Sequence, residues 1–196
     1  MKKYTVIALL LALSLGLSGC LGQGFLETPD KTADGTPWDG SWVNMAGRVG
    51  VARPENGFEL LTTNGTLENM TIQYATWVCG EEREIGKNTY VYDGQIYLMT
   101  ELCESADQAA ATVQEWYGKL SEGMDITERE TVAVDGREYE LVYYTPQGTD
   151  THFTRGVTAF WSHGDMVLVA DIACADPLEL DLREIMTEFL MGFHYV

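Results

Sequence analysis

The sequence predicts an α+β domain: a largely antiparallel, twisted β-sheet packed by two main helices. Three observations predict it. Turn dipeptides recur between strand-length apolar segments. Two other stretches carry apolar residues at steps of three and four. Their order is strands, helix, hairpin, hairpin, helix. With 45% apolar and 21% charged residues, the chain has the proportions of a folded protein rather than an acidic tail.

The chain opens differently from all that follows. Lys2 and Lys3 give a positive start, no acidic residue occurs before Glu27, and an apolar stretch runs from Thr5 to Leu17. As a helix this stretch spans about 20 Å at about 1.5 Å per residue, short of a hydrocarbon core of roughly 30 Å. It therefore reads as a secretory signal rather than a permanent span. It closes on Leu17-Ser18-Gly19-Cys20, which resembles the lipobox of bacterial lipoprotein precursors: a hydrophobic residue, two small ones and an obligatory Cys. The resemblance implies lipid attachment at Cys20, cleavage between Gly19 and Cys20, and a palmitate-class anchor in the cell membrane or the outer membrane. Residues 1–19 are then the signal peptide and residues 20–40 the lipidated N-terminus and linker. Gly22, Gly24, Pro29, Gly35 and Pro37 punctuate that linker, which has no helical or strand period. Residues 41–196 form one domain.

Within the domain, Asn64-Gly65, Asp93-Gly94 and Asp135-Gly136 tolerate the positive φ of tight hairpins, and His163-Gly164-Asp165 marks a fourth turn. Strands are expected over residues 58–63, 66–78, 89–92, 95–102, 126–134, 137–145, 157–162 and 166–173. Alternation is clear after Asp135-Gly136, where Tyr139, Leu141 and Tyr143 share one face and Glu138 and Glu140 the other. The first helix is capped by Ser105, with Gln108 at capping-box spacing, and carries Ala106, Ala109, Ala110, Val113, Trp116, Tyr117 and Leu120 on one stripe. The second is expected to begin at Asp176-Pro177 with Glu179, and to carry Leu178, Leu182, Ile185, Met186, Phe189 and Phe193.

This order, with the 105–120 helix pattern, the hairpins at Asp135-Gly136 and His163, and a closing helix that ends Phe189-Leu190-Met191-Gly192-Phe193, resembles the PsbP-like fold. That fold is shared by an extrinsic photosystem II subunit, a nuclear-import factor that binds the GTPase Ran, and many uncharacterised bacterial lipoproteins. The resemblance covers residues 48–196 and rests on element order and hydrophobic pattern. It implies a protein-binding or accessory module more than an enzyme, with no manganese or calcium ligands to carry over. Fold alone does not establish function.

Charge narrows the partners. With 12 basic and 30 acidic residues the chain carries −18, and −20 once Lys2 and Lys3 leave with the signal. Nucleic acid is excluded as an expected partner, because polyphosphate binding needs Lys and Arg to displace counterions. Docking on anionic headgroups is disfavoured, so membrane contact is expected only through the lipid at Cys20, with the acidic head standing off the surface. An envelope or surface protein is the expected partner.

Chemistry-bearing motifs are scarce. There is no G-x-S-x-G elbow, H-E-x-x-H or phosphate-binding glycine loop, so no catalytic residue, metal ligand or cofactor is expected. His163 stands beside Ser162 and Asp165, but neighbours in a tight turn diverge, and His152 and His194 lie in a loop and near the end. Glu81-Glu82-Arg83-Glu84 reads as a mixed-sign turn and Glu128-Arg129-Glu130 as a strand with an outward face. Asp30, Asp34 and Asp39 are too widely spaced for a calcium loop. Cys79, Cys103 and Cys174 leave open one disulfide plus one thiol, or three thiols.

Two features point to binding. Asp171 stands inside the apolar strand 166–172 on the face of Val167 and Val169. If buried, it needs a partner such as Arg155 or a backbone donor, or its pKa must rise. It is either a paired structural charge or the mark of a pocket. Trp38 and Trp42 flank Asp39-Gly40-Ser41 where linker meets domain, and either pin that segment to the core or offer a stacking platform for sugar rings or a partner. The leading expectation is therefore a lipid-anchored, extracytoplasmic, non-catalytic accessory module that binds protein. A small-ligand or glycan receptor is the alternative, and an enzyme of unrecognised class the third.

Overall fold

A computed structural model describes residues 42–45, 48–63, 72–86, 89–147, 152–176 and 178–195. The chain runs β1 (Trp42–Met45), β2 (Val49–Ala52), β3 (Glu59–Thr63), β4 (Ile72–Gly86), β5 (Thr89–Leu102), α1 (Ala106–Gly123), β6 (Met124–Val134), β7 (Arg137–Pro146), β8 (Arg155–His163), β9 (Met166–Cys174), α2 (Leu182–Met191) and β10 (Phe193–Tyr195). Seven strands form one antiparallel sheet in the order β3-β4-β5-β9-β8-β7-β6, and β1-β2-β10 form a second. The α+β class and the largely antiparallel sheet with two helices match the expectation.

Helix α1 makes this topology. From β5, inside the sheet, it crosses one face to the far edge, and the meander β6-β7-β8-β9 returns until β9 pairs with β5. The crossing is started by Ser105, whose hydroxyl accepts from the Gln108 N–H at 3.2 Å. Gln108 reaches back to the N–H of Glu104 at 2.8 Å, one residue before the position a reciprocal box would use.

Strand parity then sorts the apolar side chains into two layers. Val167 and Val169 of β9, Tyr97 and Met99 of β5 and Phe160 of β8 pack with Ala109 of α1, flanked by Val113, Trp116, Tyr117 and Leu120. The alternate residues, among them Leu168, Ala170, Ile172, Leu98 and Trp161, face a larger core closed by α2 and the small sheet. Tyr139 and Leu141 are buried in that core and Tyr143 packs against it, while Glu138 and Glu140 are exposed, as the alternation requires.

Two expected features are corrected. Asp93-Gly94 is not a turn, because β5 passes through it. Gly94 pairs with both Cys79 and Cys174, and the Asp93 carbonyl accepts from the Ala175 N–H at 2.8 Å. The Asp93 carboxylate is occupied too, by Arg83 Nε at 2.8 Å and the Glu81 N–H at 3.1 Å. The bend lies instead in β4, at a bulge between Cys79 and Glu82, where Gly80 adopts φ 84°. A Cβ on Gly80 would stand 2.7 Å from Asp93 Cβ. The Glu81-Glu82-Arg83-Glu84 segment is thus strand, not turn. Asp135-Gly136 is a true tight turn, with φ of 49° and 77°, and Asn64-Gly65 lies outside the described residues.

The second helix begins at Leu182, six residues after Asp176. Its cap is Asp181, which accepts from the Glu184 N–H at 3.0 Å. No helix starts at Asp176, whose carboxylate accepts from Thr154 Oγ1 at 3.1 Å, and the Leu178 carbonyl accepts from Arg155 Nη2 at 3.0 Å. Leu178 and Leu180 still pack on the core from outside the helix, and Phe193 does so from β10.

Among the described residues, Cys79, Cys103 and Cys174 are free thiols. Cys79 and Cys174 lie in one cross-strand row with Gly94 between them. That is two strand spacings, roughly 9–10 Å, beyond the roughly 7 Å that a disulfide tolerates. Cys103 packs on the opposite, α1 side of the sheet. Burial pushes the Cys79 thiol up to about 11, with Cys174 and Asp93 adding to the effect.

Candidate functional site

The α1 side of the sheet carries a partly open pocket, and the strand register explains why it exists. Tyr144, Gly156, Ala173 and Gln95 form one row across β7, β8, β9 and β5. Val142, Thr158, Asp171 and Tyr97 form the next. Gly156, Ala173 and Thr158 are small, so the floor sinks there. Trp116 and Leu120 of α1, with Met124 just beyond it, overhang the hollow, and Phe153 and Phe160 wall it. The cavity is about 60 Å³.

Asp171 sits on this floor with some remaining exposure, which opens into the pocket. Tyr144 Oη donates to Asp171 Oδ1 at 2.8 Å. Tyr144 spans β8 to reach it, and it can do so only because residue 156 has no side chain. A Cβ there would stand 2.4 Å from both Tyr144 Cζ and Oη and 2.9 Å from the Ile172 carbonyl oxygen. Burial raises the Asp171 carboxyl from 3.8 to about 7, and the Tyr144 hydrogen bond opposes that shift. Burial, reinforced by the neighbouring Asp171, drives the Tyr144 phenol well above its ordinary value. The pair is thus a carboxyl poised near neutrality and a phenol that keeps its proton.

Gln95 completes the polar set. It is 8% exposed and lines the pocket, and its side-chain amide has no hydrogen bond within the described residues. Thr158 is already satisfied by the Ala170 carbonyl at 3.1 Å. Trp116 Nε1 donates away from the pocket, to Glu101 at 3.3 Å.

Asp171 lies on the face of Val167 and Val169, as the strand period requires, but its expected partner is corrected. Arg155 has the opposite parity, pairs with Cys174 and donates to Leu178 on the other side of the sheet. Tyr144 and Gln95 were missed. Gln95 was hidden by the false turn at Asp93-Gly94. A glycine at 156, leading into a strand, was the available signal for close approach. Trp38 lies outside the described residues, as do Cys20 and the Gly19–Cys20 junction. The Trp42 backbone pairs with Ala52 in the small sheet, on the other side of the main sheet from Asp171. The described residues therefore do not join the tryptophan pair to the pocket.

The contacts of His163 and His152 place neither of them against a Ser or Cys among the described residues. Arg137 Nη2 lies 3.1 Å from His163 Nδ1, and the His163 ring stacks on Tyr195 at 4.0 Å between centroids. Burial and the Arg137 charge lower the His163 pKa. His152 Nε2 contacts the Tyr92 carbonyl at 3.0 Å. Among the described residues no group of three or more His, Cys, Asp or Glu is placed to hold a metal ion, and no described helix is long and apolar enough to cross a membrane.

No protein-family model and no curated protein matches the chain. Among solved structures, it is similar to cyanobacterial PsbP (CyanoP) from Synechocystis sp. PCC 6803, with 11% identity and a TM-score of 0.46 over 92% of this chain and 99% of that one. A protein from Bacteroides thetaiotaomicron VPI-5482 matches with 8% identity and a TM-score of 0.43, over 81% of this chain and 49% of its own length. The extracellular domain of PknH from Mycobacterium tuberculosis matches with 17% identity and a TM-score of 0.34, over 61% of each chain. None of these similarities assigns a ligand or a reaction to this chain.

Proposed function

We propose that the domain is a non-catalytic, small-ligand-binding accessory module, held outside the cytoplasm by a lipid at Cys20. One observation carries the ligand reading. An apolar hollow contains the Asp171–Tyr144 pair and the unpartnered Gln95 amide, a few convergent polar groups in an otherwise hydrophobic site. Neither Gln95 nor Asp171 holds a sealed, unpaired polar atom, so these groups face the hollow, where a ligand can replace solvent as their hydrogen-bond partner. The small cavity, well below the roughly 300 Å³ of drug-sized sites, fits a compact molecule or the head of a longer one. These features support the receptor reading more than protein docking.

A thermal-shift screen of the purified full chain with sugars, amino acids and small amines tests it, since a ligand of the folded state must raise the midpoint. A midpoint raised in wild type but not in Tyr144→Phe supports the pocket. No shift from any class overturns it. For the anchor, Cys20→Ser is expected to abolish acyl labelling and leave the precursor uncleaved.

A second reading, docking of an envelope or surface protein, is favoured by exposed Ile85 and Tyr90, which lie close together where β4 and β5 pair through Glu84 and Tyr90. Cross-linking in intact cells should then capture one reproducible partner through these residues.

A further inference from the structure

We infer that the pocket beside Asp171 is selective for a small organic ammonium ion, a primary amine on a short apolar stem. The inference rests on the pocket reading above and names its ligand class.

The chemistry of the lining is one-sided. Among the described residues its ionisable groups are Asp171, Tyr97 and Tyr144, and no Lys, Arg or His lines it. An anion would meet a carboxylate with nothing to compensate it. A wholly apolar guest would strip water from Asp171 and Gln95 and give nothing back. An ammonium group has three donors and no acceptor, and the site offers matching acceptors. Asp171 Oδ1 is engaged by Tyr144, which leaves Oδ2 without a donor among the described residues. The Gln95 amide oxygen and the Tyr144 hydroxyl oxygen supply two more. The rings of Tyr97, Trp116 and Phe160 line the same hollow, an environment that favours a cation over a neutral isostere. The small cavity accepts the head, and the apolar stem lies toward the mouth against Leu120 and Met124.

The Asp171 carboxyl is held near 7 by its burial, so it is about half protonated at neutral pH, and ammonium binding to the carboxylate releases about half a proton per ligand. The charged groups on this side are Glu101, which accepts from Trp116, Lys119, whose ammonium lies 4.9 Å from the Trp116 ring and pairs with Glu115, and Arg129, over the ring of Tyr117 and paired with Glu140. None of them lines the pocket. Proton release on binding is therefore assigned to Asp171.

Isothermal titration of the full chain with n-butylammonium, 1-butanol and butyrate provides the test, in two buffers of different ionisation enthalpy. Expected are binding of the ammonium ion, weaker binding of the alcohol, none of butyrate, and proton release that disappears in Asp171→Asn. That variant should weaken the ammonium ion by about ten- to a hundredfold and leave the alcohol unchanged. Circular dichroism confirms that it folds, and Tyr144→Phe serves as the second variant, with an expected loss of about tenfold. Equal affinity for ammonium and alcohol, or full ammonium affinity in Asp171→Asn, overturns the ligand class. If the ammonium ion fails but another compound stabilises wild type and not Tyr144→Phe, the ammonium inference falls and the pocket stands. If nothing stabilises the wild type, both fall.

Discussion

Tyr144 on β7 reaches over Gly156 on β8 to donate a 2.8 Å hydrogen bond to Asp171 on β9. The bond skips a strand, so it ties three neighbours together through a residue that contributes no side chain. Gly156→Ala would place a methyl group 2.4 Å from the phenol and 2.9 Å from the Ile172 carbonyl, which is backbone and cannot step aside cheaply. The expected result is a loss of about 1–3 kcal/mol in stability and a displaced Tyr144 ring. Denaturant unfolding measures the first, and Trp116 fluorescence at the pocket rim reports the second.

The Asp171 carboxyl is raised from 3.8 to about 7 in the folded state. A raised folded-state pKa means that its contribution to stability is present below pH 4 and is lost as pH rises through 7. Wild type should therefore lose stability across that window relative to Asp171→Asn, by at most roughly 4 kcal/mol. Unfolding midpoints of both proteins from pH 4 to 8 check this, and parallel profiles would refute it.

Tyr144→Phe acts on the same titration with the opposite emphasis. The Tyr144 hydrogen bond lowers the Asp171 pKa against the effect of burial. Its removal should move the titration upward from about 7. Carboxyl carbon chemical shifts followed with pH would show the displacement directly.

At the other end of the sheet, Trp161 Nε1 donates to Tyr195 Oη at 2.8 Å and thereby fastens β10 to β8. Arg137 lies over the Tyr195 ring at 4.7 Å. Tyr195→Phe retains the ring but orphans the buried indole N–H, at an expected cost of about 1–3 kcal/mol. Hydrogen exchange should show faster opening of residues 193–195 in the variant.

The cross-strand row Cys79, Gly94, Cys174 keeps its two thiols apart. Alkylation of unreduced, denatured protein followed by mass spectrometry should modify Cys79, Cys103 and Cys174 alike. A bridge between any two would contradict the register.

Period and punctuation alone specified a good deal. The alternation around Tyr139, Leu141 and Tyr143 placed those residues on the core face, because strand periodicity is local and survives any packing. The Ser105 cap and the stripe from Ala109 to Leu120 likewise located α1, since a cap and its first turn lie close in sequence. Local signals misled where a distant group competed for the same atoms. Asp93-Gly94 has turn chemistry, yet Arg83, Ala175 and both flanking strands hold it extended. Asp176-Pro177 has helix-start chemistry, yet Thr154 holds the Asp176 carboxylate and Arg155 the Leu178 carbonyl.

The pocket shows the same division. Residue order alone made Asp171 a charge in an apolar strand and assigned its face. Only the tertiary structure set Tyr144 and Gln95 beside it, because they come from strands 27 and 76 residues away along the chain, and no local pattern encodes which strands share a row. The hollow itself depends on Gly156, Ala173 and Thr158 falling into register under α1. Burial is a property of that assembly, and it turns an ordinary carboxylate into a group poised at neutrality.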